Sequence, residues 1–173
     1  MNRPTSTEYA PYYERYVSQV SESDIMPVLR SQMDELDVLL EHVAPEQETY
    51  RYAVDKWSIR QIVGHLIDGE RVFGYRLFCI ARGEQQNLPG FDQNDYMLTA
   101  PYDQIELEDL LSELRLIRLG NMAMLRTLHE EAWSRAGSAN SNQVTVRALA
   151  FILAGHVRHH MNVLRERYLS RTS

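Results

Sequence analysis

The chain has 173 residues, 44% hydrophobic and 24% charged, which fits one globular domain with a buried core. Its net charge is −6 and its cations, nearly all arginine, are scattered without a basic patch, which argues against nucleic acid as a partner. The longest apolar stretch, around Ala148 to Ala154, is far short of the roughly 20 residues that span a bilayer, and the start lacks the apolar core of a signal peptide.

A single domain over 1–173 is therefore expected, away from membranes. Cys79 is the sole cysteine, so an intrachain disulfide is impossible and a cytoplasmic location is expected.

Residues 1–22 form a tyrosine-rich arm with Tyr9, Tyr12, Tyr13 and Tyr16. Tyrosine offers an apolar body and a wet tip, so a short helical arm packed on the rest is expected, with an aromatic recognition surface as the alternative. A first long helix follows from Ser23 to His42, carrying Leu29, Met33, Leu36 and Leu40 at steps of three and four, with Val43 continuing the series just beyond it. Ser23 or Asp24 can cap it, and Pro27 falls in its opening turns. Thr49 to Val54 reads as a short extended piece. The second helix opens at Ser58, where Ser58-Ile59-Arg60-Gln61 reads as a capping box, and runs to Arg82 before Gly83.

The longest connection, Glu84 to Asp103, contains Asn87-Leu88-Pro89-Gly90-Phe91-Asp92; loops of that length inside a compact domain tend to be functional. The third helix is expected from Ile105 to Ala132 and the fourth from Thr145 to Tyr168. There is no internal repeat. Four amphipathic helices over 23–170 predict an all-α four-helix bundle.

The fourth helix contains Gly155-His156-Val157-Arg158-His159-His160, with three of the six histidines. At about 100° per residue, His156 and His160 fall within the apolar stripe, one turn apart, while His159 stands at its edge. Spacing of i, i+4 lets two imidazoles reach one metal ion. Two ligands make a poor site, and His65, inward on the second helix, is the candidate third. Both His65 and His156 follow a glycine, a costly mid-helix residue that admits a close neighbour. Three inward imidazoles need partners. A shared cation supplies them, and so would hydrogen bonds within the core; the residues alone leave both open.

Other patterns lead elsewhere. His129-Glu130-Glu131 starts like a zinc-protease helix but has Trp133 where the second histidine belongs, so it reads as a solvated face. Cys79 lies about 21 Å along the helix from His65, too far to share its metal, and reads as a small core residue.

Three segments together resemble one family. Lys56-Trp57-Ser58-Ile59-Arg60-Gln61-Ile62-Val63-Gly64-His65-Leu66, the loop Leu88 to Tyr96 (LPGFDQNDY) and the ending Gly155 to Tyr168 (GHVRHHMNVLRERY) are similar to the DinB-like, or YfiT-like, metalloenzymes. The resemblance covers nearly the whole chain. It implies the family's variant of up-and-down four-helix topology, often as a homodimer, with a divalent metal on one histidine of the second helix and two of the last, here His65, His156 and His160. It departs in one place, since Val157 stands where related sequences often carry an acid.

Three imidazoles and no carboxylate leave an open position and suit zinc or nickel. The family's characterised thiol-dependent S-transferases imply a low-molecular-weight thiol cofactor and a small-molecule substrate. A metal-dependent hydrolase and a non-catalytic metal-binding bundle are the alternatives. Around the site, Asp68, one turn after His65, is a candidate acceptor orienting that imidazole. His159 is a candidate supporting residue, and Asp92, Asp95 and Tyr96 are candidates for touching substrate.

Overall fold

The computed structural model describes residues 2–170; Met1 and residues 171–173 of the expected domain lie outside the described residues. The arm contains a 3₁₀ turn (Pro11–Tyr13) and a one-turn helix α1 (Glu14–Val17). Next come α2 (Ile25–Leu40), the short α3 (Pro45–Glu48) and α4 (Ile59–Ala81). The long connection carries α5 (Gln93–Thr99) and a 3₁₀ turn (Tyr102–Gln104) before α6 (Leu107–Arg126). A 3₁₀ turn (Glu130–Ser134) and a hairpin of β1 (Ala136–Ala139) and β2 (Asn142–Thr145) lead to α7 (Val146–Val163), which continues as a π-helical turn over Leu164–Leu169.

Helix starts follow the expected chemistry. The Asp24 side chain accepts from Met26 N, and the Thr145 side chain from Ala148 N. Ser58 and Gln61 form the full capping box, at 3.0 and 3.1 Å.

Two expectations fail. The third long helix ends at Arg126, short of Ala132: the Thr127 hydroxyl donates to Met124 O and its backbone caps the last turn. The extended piece at Thr49 to Val54 is not a strand. The strands are instead 136–139 and 142–145, built from small and polar residues without the alternation that marks a strand in sequence. Their turn places Asn140 and Ser141 at φ 50° and 59°, the left-handed pair a two-residue hairpin of this hand requires. Leu88 of the long connection hydrogen-bonds to this hairpin through Ser138 O and Asn140 N, both 2.9 Å.

Named contacts give the helix directions. Arg60 meets Glu106, Arg71 meets Glu113 and Gly74 lies against Asn121, so α4 and α6 run parallel. Trp57 O accepts from Tyr168 while His65 meets His156, so α7 runs antiparallel to α4. Leu29 O accepts from Arg118, and Arg115 bonds Asp34 and Asp37, so α2 is antiparallel to α6. The order is up, down, down, up, and among the four long helices the main contacts are of α4 and of α2 with both α6 and α7. Two parallel neighbours cannot be joined by a tight turn, which requires a long connection between α4 and α6. This is the variant topology the resemblance implied.

The core is two apolar clusters with a polar layer at their junction. One gathers Ile25, Leu29, Leu77, Phe151 and the arm's Val17 and Val20; the other Leu36, Leu66, Leu110, Met161 and Leu164. Arg118, fully buried, grips both Glu70 carboxylate oxygens at 2.8 Å and donates to Leu29 O and Gln32 Oε1. Gln32 donates to Ala154 O at 2.7 Å, and Asn121 to Glu70 at 2.9 Å. The layer thus ties all four long helices together, reaching α7 at Ala154, two residues before His156.

Candidate metal centre

His65 stands in the second turn of α4 and His156 in the middle of α7, and glycines make room around both. A Cβ at Gly155 would stand 2.1 Å from the Tyr16 carbonyl oxygen, and one at Gly64 2.3 Å from the Tyr102 ring. The glycine before each histidine is therefore where the arm and the long connection cross the helix closely. A third glycine, Gly69, accommodates His156 itself, whose Cε1 would lie 2.7 Å from a Cβ there.

The structure brings His65, His156 and His160 together. Their ring centroids are 4.7 to 4.8 Å apart, and one nitrogen from each lies within 4.8 Å of the other two. His65 and His156 are 2% and 3% exposed; His160 is half-buried as a residue, but its Nδ1 is fully buried. His156 Nε2 and His65 Nε2 share a hydrogen bond of 2.9 Å. His160 Nδ1 has no hydrogen-bond partner. The core hydrogen-bond alternative therefore satisfies a pair and leaves a polar nitrogen orphaned. A divalent cation fits this donor set: three imidazole nitrogens converge, and one of the rings carries a buried nitrogen with nothing to bond.

Burial keeps all three rings neutral. It lowers the His65 pKa to about 4, and it pushes His156 and His160 well below the ordinary value, with the neighbouring imidazoles adding to the effect. Their lone pairs are thus free of protons at neutral pH. The same shifts set an acid dependence of stability. Between the unfolded value of 6.5 and about 4, the unfolded chain binds protons that the fold refuses, so stability falls as pH falls through that window. Thermal melts of chelator-treated protein are expected to drop from pH 7 to pH 5, each imidazole contributing at most about 1.4 kcal/mol per pH unit. His65→Gln is expected to flatten that slope; an unchanged slope would contradict the assignment.

The three rings sit between two hollows. His65 and His156 line a cavity of about 340 Å³, walled by Tyr12, Tyr13, Tyr16, Phe73, Phe91 and Arg76 and edged by Asn94, Asn140 and Asn142. His160 faces a hollow of about 240 Å³ beside Trp57, Lys56 and Tyr168. Tyr16 stands edge-on to His156 at 5.2 Å, and burial raises its hydroxyl pKa, so it keeps its proton. The tyrosine arm packs on α7 as expected and also walls the cavity.

The profile of the DinB superfamily matches residues 29–164. This chain belongs to the DinB superfamily. Among solved structures, YfiT from Bacillus subtilis, described as a probable metal-dependent hydrolase with an unusual four-helix bundle topology, superposes on this superfamily member with a TM-score of 0.78. The identity is 19%, over 94% of this chain and 93% of that one. The mycothiol-dependent maleylpyruvate isomerase superposes at 0.67 with 12% identity, over 84% of this chain and 61% of that one. At such identities the likeness is one of fold. The sequence matches no curated protein.

The other candidates of this DinB-superfamily protein separate. Asp68 does not orient His65: its Oδ1 accepts the Tyr102 hydroxyl at 2.8 Å, because the long connection lays that ring against Gly64. His159 is half-buried at the stripe's edge, 3.3 Å from Gln19 Nε2 and against Tyr16. Asp92 lines the cavity and caps α5 through Asn94 N at 2.7 Å. Tyr96 packs on Phe91 and faces the adjoining crevice, whereas Asp95 is exposed on α5. Val157 is buried in the core, which leaves no acid at that place. Cys79 is half-buried against the core.

Arg76, Asn140 and Asn142 carried no signal in the sequence. Their place at the cavity depends on contacts between the connection and the hairpin.

Proposed function

We propose that this protein is a metal-dependent enzyme in which His65, His156 and His160 hold one zinc or nickel ion for thiol-dependent S-transfer to a small molecule. The observation that carries the reading is the convergence of three neutral imidazoles, two of which, His65 and His156, line an aromatic-walled cavity while His160 closes the cluster from the other side. When bound, a divalent ion there supplies a Lewis acid that brings a thiol or a water to its anionic form near neutral pH. The residues themselves supply the rest. The neutral imidazoles leave the ion's charge undiminished, which favours an anionic ligand. Tyr12, Tyr13, Phe73 and Phe91 give the cavity apolar walls, and the Tyr16 hydroxyl stays protonated as a donor.

Hydrolysis by a DinB-superfamily metal site is the second reading, supported by the fold shared with YfiT. Hydrolysis draws on a proton acceptor beside the water. Among the described residues, the one acid lining the cavity, Asp92, is engaged as a helix cap, and Val157 supplies none. A thiolate attacks without such a base, which favours the transferase reading.

We further place the protein in the cytoplasm as a homodimer. No helix among the described residues is long and apolar enough to cross a membrane, and exposed Tyr75, Phe78, Leu116 and Leu119 offer apolar surface on α4 and α6.

The test is a screen of cellular thiols against chloro-nitroarene and epoxide acceptors, with protein freed of metal and reconstituted. Thiol-dependent product that requires metal is expected. Metal-dependent ester or amide cleavage with no use of any thiol would move the assignment to hydrolase.

A further inference from the structure

Among the described residues three arginines are buried, and two of them have carboxylate partners. Arg118 holds Glu70 with both arms of its fork, and Arg60 holds Glu48 and Glu106. Arg76, at 2% exposure, has none among the described residues. Its Nη2 donates to Pro89 O at 2.7 Å, and its buried Nε has no partner. A buried guanidinium left without an anion is costly, and native folds seldom leave one so.

The acids nearby are committed elsewhere. Asp92 receives the backbone N–H groups of Asn94 and Asp95, and Asp68 receives the Tyr102 hydroxyl. Arg76 lines the same cavity as His65 and His156. Its guanidinium carbon lies 5.8 Å from the Phe73 ring centre and 5.9 Å from that of Phe91, and the Phe73 ring stands 5.7 Å from His156. One aromatic ring therefore separates the guanidinium from the imidazole floor, a span that a molecule of a few carbon–carbon bonds can bridge.

We propose that Arg76 is the anion-binding, specificity-determining residue of this cavity, and that the small molecule taken up carries a carboxylate at the end away from the imidazoles. Arginine matches a carboxylate through paired N–H donors, and the flanking Phe73 and Phe91 rings hold the guanidinium plane and keep water from it. The carboxylate belongs either to the thiol or to the acceptor. The inference deepens the S-transferase reading and rests on it for the molecule's far end, where the thiol or acceptor meets the metal.

Calorimetric titration of zinc-loaded protein with 3-mercaptopropionate and with 3-mercaptopropanol tests the inference. The carboxylate is expected to bind about tenfold tighter or more. Arg76→Gln is expected to bring the ratio to about one at unchanged zinc content, and Arg76→Lys, which keeps the cation and loses the fork, to an intermediate ratio. A preference that survives in Arg76→Gln, or equal binding of both thiols by a wild type that also binds no butyrate, would overturn it.

Butyrate assigns the source. If it binds alongside 3-mercaptopropanol and needs Arg76, the carboxylate is the acceptor's; if it only competes with 3-mercaptopropionate, it is the thiol's. Should the wild type hold no zinc, the metal reading fails by itself. Butyrate binding to that metal-free protein, lost in Arg76→Gln, would still support the anion site, and its absence would remove it.

Discussion

Glu70→Ala is expected to cost about 3 to 5 kcal/mol of folding stability, read as a shift of the denaturant midpoint at unchanged slope. The mutation leaves the Arg118 guanidinium fully buried with its two 2.8 Å carboxylate contacts gone, and strips Asn121 of an acceptor. The effect is that of an unpaired charge, not of a lost attraction. Glu70→Leu combined with Arg118→Met, which removes both charges at similar volume, is therefore expected to recover most of the loss. A single mutant within about 1 kcal/mol of wild type would mean that water or another anion reaches Arg118. Because Gln32 links this layer to Ala154, two residues before His156, the single mutant is also expected to loosen the metal site.

His65→Ala is the second large effect, and it falls on metal binding. Removing one of three ligands is expected to weaken affinity by more than the roughly 10- to 100-fold that loss of an outer partner costs. His159→Ala is expected to stay within about tenfold, since that ring packs against Tyr16 and Gln19 at the edge of the site. Stability gives an independent readout. At metal a hundredfold above its dissociation constant the wild type gains about 2.7 kcal/mol, a rise in melting temperature of roughly 5 to 10 °C. His65→Ala is expected to lose this rise, and a variant that kept it would show that another residue is the third ligand.

The helices and the inward histidines were legible because both express the same period. Leu29, Met33, Leu36 and Leu40 mark one face of α2, and the same arithmetic places His156 and His160 inside and His159 at the edge. The capping box at Ser58 was legible because it is a local reciprocal bond pair.

What escaped is non-local. The hairpin at 136–145 has small residues and no alternation, and its turn depends on two left-handed residues, Asn140 and Ser141. The early end of α6 depends on the Thr127 hydroxyl. Asp68 was expected to serve His65 by helix spacing, but Tyr102, thirty-four positions away, takes its carboxylate. The isolation of Arg76 follows from where Pro89, Asp92 and Phe91 are carried by the long connection, which no periodicity encodes.

Elemental analysis of protein purified without a histidine tag, before and after chelation and re-addition of zinc or nickel, bears on the whole account. Close to one equivalent of divalent metal per chain is expected, lost on chelation, restored on re-addition and absent from His65→Ala. Less than roughly a tenth of an equivalent, unrecovered by added metal in a folded sample, would contradict it and leave His65, His156 and His160 as a hydrogen-bonded core cluster.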